Sequence, residues 1–119
     1  MNGFLILAAH ALGDFLLQNH WMQRKNQDSC VCATHVLFYS FPFTLLLAAT
    51  LIRPELNFLQ PWQWIAIILQ HYLQDRYSLH LKWMQFYGQT PPDKWPVGPL
   101  FVDQAMHLTW MGIVYAFSY

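Results

Sequence analysis

Charged residues are scarce in this sequence of 119 residues. Lysine, arginine, aspartate and glutamate make up only 10% of it, against roughly 25% in ordinary soluble domains, and hydrophobic residues make up 55%. Too few polar side chains remain to cover a soluble fold of this size, which predicts a membrane protein. The six basic and six acidic residues balance, so we expect no nucleic-acid partner.

Motifs of the common soluble enzymes are also missing. The chain has no GxSxG, HExxH, P-loop or Rossmann pattern, so its sequence gives no support for the enzyme activities that depend on these motifs. Its two cysteines, Cys30 and Cys32, point to nearly opposite sides of a helix and are expected to be free thiols. No basic leader or cleavage site marks the first apolar run, so we expect a retained helix there and not a signal peptide.

Four apolar segments predict an all-α fold, a four-helix transmembrane bundle with up-down topology that forms a single domain over residues 1–119. A hydrocarbon core of about 30 Å requires about 20 residues of helix, and each segment can reach that length. The predicted helices cover residues 3–22, 30–52, 61–87 and 99–118. The second half of the third is expected to leave the lipid as an amphipathic extension.

Positive charge predicts the orientation of this bundle. Arg24 and Lys25 lie in the first connection, and Lys82 and Lys94 lie in or near the third, whereas the second has only Arg53. Because positively charged loops stay in the cytoplasm, the first and third connections are predicted to be cytoplasmic. Both termini are then expected on the opposite side of a membrane that the chain crosses several times, with the lipid bilayer as its partner.

Histidine and aspartate recur within the apolar segments in pairs four residues apart. Random placement would give about half of one such pair. Three occur, namely His10/Asp14, His71/Asp75 and Asp103/His107. Residues i and i+4 share one helix face, so each pair presents an imidazole and a carboxylate to the same neighbour. Ionisable groups in a membrane cost at least a few kcal/mol each, so we expect these groups to form a functional site.

The positions of these groups along the helices predict one common site. In an up-down bundle, the ends of helices one and three lie beside the starts of helices two and four, where His35 also falls. Most of the groups would lie roughly 5 to 15 Å below the cytoplasmic helix ends. The predicted metal ligands are His10, Asp14, His35, His71, Asp75, Asp103 and His107.

Imidazole and carboxylate ligands without thiolate favour a divalent transition metal, with Zn ahead of Mn and Fe. Seven candidates exceed the four ligands of one tetrahedral zinc. Either two metals share the site, or some candidates position the ligands or transfer protons. A buried His-Asp ion-pair network without metal is an alternative that spacing does not distinguish from a metal site.

Two motifs give the chain a resemblance to a known family. The segments 10–18 and 103–107 resemble a family of small bacterial and prophage-encoded membrane proteins of unassigned function. That family has an HxxGDFxxQ opening, a histidine in the second helix, an HxxxD helix and a closing DQxxH. More distantly, the chain is similar to the membrane-bound metal-dependent hydrolases, in which HxxxD motifs are thought to bind metal.

The resemblance implies the same seven residues as a polar core and a bacterial inner-membrane location. It also implies that Gln18 and Gln104 donate hydrogen bonds to the ligands. His35 departs from the pairing of histidine with aspartate, because the residues four positions before and after it are Val31 and Tyr39 and not carboxylates.

A metal site under the headgroups makes the chain a candidate metal-dependent hydrolase. Metal-activated water would attack an ester or phosphoester of a lipid-like substrate, with Asp14 or Asp75 as general base. One alternative is metal-ion or proton transport, which also needs polar groups in the opposite half. Another is a structural subunit whose aromatic residues, 18% of the chain, contact a membrane partner or further copies of the chain.

Three other residues in or near the helices receive simpler interpretations. His20 and His80 lie near predicted membrane interfaces and are expected to be solvated histidines. Gly13, beside Asp14, is expected to permit the close approach of two helices.

Overall fold

The computed structural model describes residues 2–118, and all regular secondary structure in that range is helical. The helices are α1 (Gly3–Ala11), α2 (Ser29–Ile52), α3 (Pro61–Tyr77), α4 (Leu79–Tyr87) and α5 (Gly98–Ala116). A π-helical turn, Leu12–Leu16, continues α1, and 3-10 turns cover Trp21–Arg24 and Pro54–Leu56. The predicted all-α fold class is confirmed.

Local capping explains where the helices begin. Asn2 Oδ1 accepts a hydrogen bond from the backbone N–H of Leu5, and Asp28 Oδ1 accepts one from that of Cys30 at 2.7 Å. Pro61 is the first residue of α3, a position that does not need the missing N–H. Each of the four predicted helix starts therefore lies within one residue of the observed start.

Two predicted helices end earlier than expected. The first, predicted to reach residue 22, ends with the π turn at Leu16. The third, predicted over 61–87, is divided at Ser78, whose left-handed conformation (φ 49°) ends α3 and lets α4 pack against α5. The apolar pattern continues through Ser78, so hydropathy alone does not distinguish a turn from a longer helix.

α2 is the one helix within residues 2–118 that is both long and apolar enough to cross a membrane. At 1.5 Å per residue its 24 residues extend about 36 Å, more than the hydrocarbon core requires. The segment Gly3–Leu16 is apolar but shorter. Helix length and composition thus support one candidate crossing, where the sequence predicted four.

The interior of the bundle has an apolar half and a polar half. The apolar cluster consists of Ile6, Ala9, Tyr39, Phe43, Leu59, Ile67, Met111 and Val114. The buried polar residues of the other half include His10, Asp14, His35, His71, Gln74, Asp75 and His107. Both halves contain residues from α1 or its π turn, from α2, from α3 and from α5. Packing of the apolar half therefore also fixes the positions of the helices that carry the polar groups.

Candidate metal centre

A π-helical turn brings Asp14 to the side of α2. The N–H of Leu17 donates to the carbonyl of Leu12 at 3.0 Å, the i to i+5 pattern that widens a helix. Gly13 in this turn lies against Tyr39, where an added Cβ would approach the Tyr39 carbonyl oxygen to 2.8 Å. The close approach expected at Gly13 is therefore present, and it is the contact that positions Asp14.

Four buried side chains direct one ligand atom each toward a common point: Asp14, His35, His71 and Asp75. The two imidazole Nε2 atoms are 3.0 Å apart. Asp75 Oδ2 lies 3.1 Å from the Nε2 of His35 and 3.0 Å from that of His71. Asp14 Oδ1 lies 3.4 Å and 3.6 Å from the same two atoms. We call these four residues the central set.

The separations in the central set are those of a tetrahedral metal shell. Ligand atoms about 2.0–2.1 Å from a tetrahedral zinc are roughly 3.3 Å from one another. Five of the six separations in the central set run from 3.0 to 3.6 Å. Asp14 Oδ1 is buried and, within residues 2–118, accepts no hydrogen bond. Two nitrogens and two carboxylate oxygens that face one another this closely could hold a shared cation.

Lys25, from the connection between α1 and α2, closes the site on one side. Its Nζ lies 2.8 Å from Asp75 Oδ2 and 4.0 Å from Asp14 Oδ1. Gln18, predicted to donate to a ligand, instead accepts a hydrogen bond from Lys25 at 3.1 Å. Burial acts against the charge of Lys25, but the carboxylates of Asp75 and Asp14 outweigh it and raise the pKa of the ammonium.

A second group of side chains adjoins the central set through Asp75. His107 Nε2 lies 3.3 Å from Asp75 Oδ1 and 3.6 Å from Asp103 Oδ1. His80 Nδ1 lies 3.4 Å from that same Asp103 oxygen, so the expectation of a solvated His80 is wrong. Burial lowers the pKa of His80, and the Asp103 carboxylate offsets only part of that shift. His20 is exposed, as expected.

His10 lies behind the central set and reaches it through an amide. Its Nε2 is 3.9 Å from Asp14 Oδ2 but only 2.8 Å from Gln104 Oε1, and its Nδ1 is 2.8 Å from the hydroxyl of Tyr39. Gln104 Nε2 in turn donates to Asp14 Oδ2 at 2.7 Å. Both nitrogens of His10 are engaged in hydrogen bonds, which gives this residue a positioning role.

All seven predicted ligands lie in one polar cluster, together with residues that the sequence analysis missed. Two of these could have been found from the sequence, because they follow a predicted ligand at a helical spacing of three or four residues. Tyr39 follows His35 by four residues, and its ring stacks on that of His71 with centroids 3.5 Å apart. Gln74 follows His71 by three residues, and its amide donates to Asp103 Oδ1 at 2.8 Å. Lys25 could not be found in this way, because it belongs to a connection without helical periodicity.

A polar cleft of about 270 Å³ leads from the surface to this cluster. Lys25, Asp75, His80 and Asp103 are among its lining residues. The cleft therefore reaches Asp75, the buried carboxylate that belongs to both groups of side chains.

No curated protein and no solved structure matches this chain. Nearly its whole length, residues 3–119, matches the model of a family described as a protein of unknown function. The similarity to membrane-bound metal-dependent hydrolases stays a prediction. The protein belongs to the DUF3307 family of proteins of unknown function.

Proposed function

We propose that this protein is a membrane protein that binds a divalent transition metal, preferably zinc, through Asp14, His35, His71 and Asp75. The observation that carries the proposal is the set of tetrahedral separations among the four ligand atoms. When bound, such a metal polarises ester or phosphoester groups and lowers the pKa of water toward 7. We therefore propose metal-dependent hydrolysis as the activity.

Exposed apolar side chains support the membrane part of this proposal. Phe4, Leu16, Ile52 and Phe86 are each at least 78% exposed, and they lie on different elements of the bundle. Soluble monomers rarely expose apolar surface so widely. We propose that α1 and α3, which pack against α2, and α5, which packs against α3, lie with α2 in the bilayer. The end that carries Arg24 and Lys25 would then face the cytoplasm, with both termini on the opposite side.

The carboxylate oxygens that lie outside the central set favour Asp75 over Asp14 as the general base. Gln104 occupies Asp14 Oδ2 by donating to it at 2.7 Å. Asp75 Oδ1 lies outside the central set, and Asp75 lines the polar cleft. Lys25 and His80 line the same cleft and would orient an anionic group of a substrate beside Asp75. The cleft opens near the proposed headgroup level, so the substrate we favour is a lipid-like ester or phosphoester.

The transport alternative receives less support from the packing. A transported ion or proton would need polar groups on both sides of the cluster. Beyond it, Ile6, Phe43, Ile67 and Met111 pack into the apolar half of the bundle. A site that is open on one side suits catalysis on a substrate that enters and leaves by the same cleft.

Elemental analysis of the detergent-purified protein, before and after chelation, tests metal binding. We expect the wild type to retain bound metal, and His35→Ala and His71→Ala to lose it from the central set. His20→Ala is the matched control, since His20 is exposed and lies outside the cluster, and it should retain metal as the wild type does. A wild type that binds no added zinc, manganese or iron would instead favour the ion-pair network.

Hydrolysis and transport are separated in vesicles that contain the purified protein. We expect release of products from ester- or phosphoester-containing lipids, loss of that release on chelation, and its loss in Asp75→Asn. Metal flux into the vesicles without product release would favour transport. Asp93→Asn, at an exposed position outside the cluster, is the control.

Thiol labelling tests the proposed orientation. Cys30 is exposed at the start of α2 near the Lys25 end, whereas Cys32 is buried. A membrane-impermeant maleimide should label the wild type in inverted membrane vesicles but not in intact spheroplasts. Cys30→Ser should remove the labelling, and labelling in intact spheroplasts would reverse the orientation.

A further inference from the structure

The two oxygens of Asp75 face two different sets of ligand atoms. Oδ2 belongs to the central set, whereas Oδ1 lies 3.3 Å from His107 Nε2. His107 Nε2 is also 3.6 Å from Asp103 Oδ1, and His80 Nδ1 is 3.4 Å from that oxygen. These three separations fall in the same range as those of the central set, and the atoms come from α3, α4 and α5. Asp103 and His107 also offer ligand atoms that lie within 4.8 Å of one another and of one from Asp14.

A chain of amides determines which nitrogen of His107 carries its proton. Gln74 Nε2 donates to the Asp103 carboxylate at 2.8 Å, so Gln74 Oε1 is the atom that accepts from Gln70 Nε2. Gln70 Oε1 then faces His107 Nδ1 at 3.4 Å and acts as an acceptor for its N–H. In the neutral ring, the unprotonated Nε2 consequently faces the carboxylates of Asp75 and Asp103.

With Nε2 unprotonated, His107 places an acceptor nitrogen 3.3 Å from Asp75 Oδ1 and 3.6 Å from Asp103 Oδ1, and a cation beside these atoms would relieve their repulsion. His80 supplies a fourth ligand atom, because its buried Nδ1 forms no hydrogen bond with any part of the chain from residue 2 to residue 118. Gln74 holds Asp103 in place, as the outer partner of a ligating carboxylate does. His80 and Asp103 also line the polar cleft, which gives an ion a route to this point.

We propose that Asp75 bridges two metal ions and that the second is bound by Asp75 Oδ1, Asp103, His107 and His80. This inference rests on the proposed function, because it assumes that the first ion occupies the central set. With both of its oxygens bound to metal, Asp75 would act as a bridging ligand and no longer as the general base. Carboxylate-bridged metals in hydrolytic sites lie about 3.5–4 Å apart and together hold the attacking and leaving oxygens of an in-line displacement.

The charge of such a centre selects the class of substrate. Asp14, Asp75 and Asp103 are partly balanced by Lys25, and one divalent ion would neutralise what remains. A second ion makes the site cationic, so it should bind more weakly than the first and together with an anion. A phosphoester, whose oxyanion contacts both metals, therefore fits this site better than a neutral carboxylic ester.

Metal titration of the detergent-purified, chelated protein with Mn²⁺ tests the second position. We expect two ions per chain in the wild type, with the second bound more tightly when inorganic phosphate is present. The bound pair should give the electron paramagnetic resonance signature of exchange-coupled manganese. His80→Ala and Asp103→Asn should each bind one ion without coupling, while His20→Ala binds two.

Two other outcomes separate this inference from the proposed function. One ion per chain in the wild type, unchanged in His80→Ala and Asp103→Asn, would overturn the second position and leave the central set intact. No bound ion in the wild type would overturn both. Thermal unfolding of each variant verifies its fold, and His80→Ala replaces a partly exposed side chain whose loss the helix should tolerate.

Discussion

Lys25 Nζ lies 2.8 Å from Asp75 Oδ2, one of the four ligand atoms of the central set. The ammonium therefore pairs with the carboxylate oxygen that a metal ion would use. Without a metal, Lys25 compensates part of the negative charge of Asp75 and Asp14. With a metal bound, two cations would share one carboxylate, so the Lys25 ammonium and the metal ion would repel each other.

Removal of this competing charge should strengthen metal binding. Unit charges about 4 Å apart interact by about 4 kcal/mol at an effective dielectric constant of 20, and movement of Lys25 into the cleft would relieve part of that repulsion. We expect Lys25→Met to raise the affinity of the central set for zinc by about tenfold or more, measured by competition with a chromophoric chelator. Lys94→Met, at an exposed loop position, should have no effect. A weaker affinity in Lys25→Met would instead make Lys25 part of an ion-pair network.

The same ion pair predicts how the stability of the chelated protein depends on pH. Burial acts against the ammonium, but Asp75 and Asp14 raise its pKa above the ordinary value of 10.5. The stabilisation is therefore complete below about pH 10.5 and is lost as the pH rises through the higher folded-state pKa. We expect Lys25→Met to be less stable than the wild type by about 3 kcal/mol at neutral pH.

Thermal unfolding of both chelated proteins, from neutral pH to strongly alkaline pH, measures this difference. The stability gap between them should narrow above about pH 10.5. A gap that stays constant through that range would contradict a paired, charged Lys25.

Local features of the sequence were sufficient to predict part of this site. The spacing of His71 and Asp75 is a property of a single helix, and the Asp28 cap and Pro61 begin their helices through contacts within a few residues. The cluster could be predicted for a related reason. Apolar packing keeps helices side by side, so polar groups at a common level must meet.

Helical spacing in the sequence did not predict the features of the site that depend on turns. The break at Ser78 allows α4 to pack against α5 and brings His80 to Asp103, whereas the sequence analysis continued one helix through it. The π turn at Leu12–Leu16 and the return of Lys25 to Asp75 likewise depend on tertiary contacts. Helical periodicity carries no information about either.

Gln104 connects His10 to Asp14, which leads to a prediction for metal affinity. Its Nε2 donates to Asp14 Oδ2 at 2.7 Å, and its Oε1 accepts from His10 Nε2 at 2.8 Å. Loss of an outer partner of a metal ligand costs about 10–100-fold in affinity. We expect Gln104→Ala to weaken zinc binding by that factor, and Gln85→Ala, at an exposed position of α4, to leave it unchanged. Equal affinity in both variants would argue against Asp14 as a ligand.

Gly13 and Gly112 provide a matched pair for the contact that positions Asp14. A Cβ at Gly13 would lie 2.8 Å from the Tyr39 carbonyl oxygen, so the π turn or α2 must shift, whereas a Cβ at Gly112 meets no atom within 4 Å. We expect Gly13→Ala to lower the free energy of unfolding by about 2 kcal/mol and to weaken zinc binding, because Asp14 moves with the turn. Gly112→Ala should be neutral or stabilising by up to about 1 kcal/mol, since alanine favours a helix interior. Thermal unfolding and chelator competition on both variants test this. Equal behaviour would contradict a tight contact between the π turn and Tyr39, and with it the proposed reason that Asp14 reaches the metal.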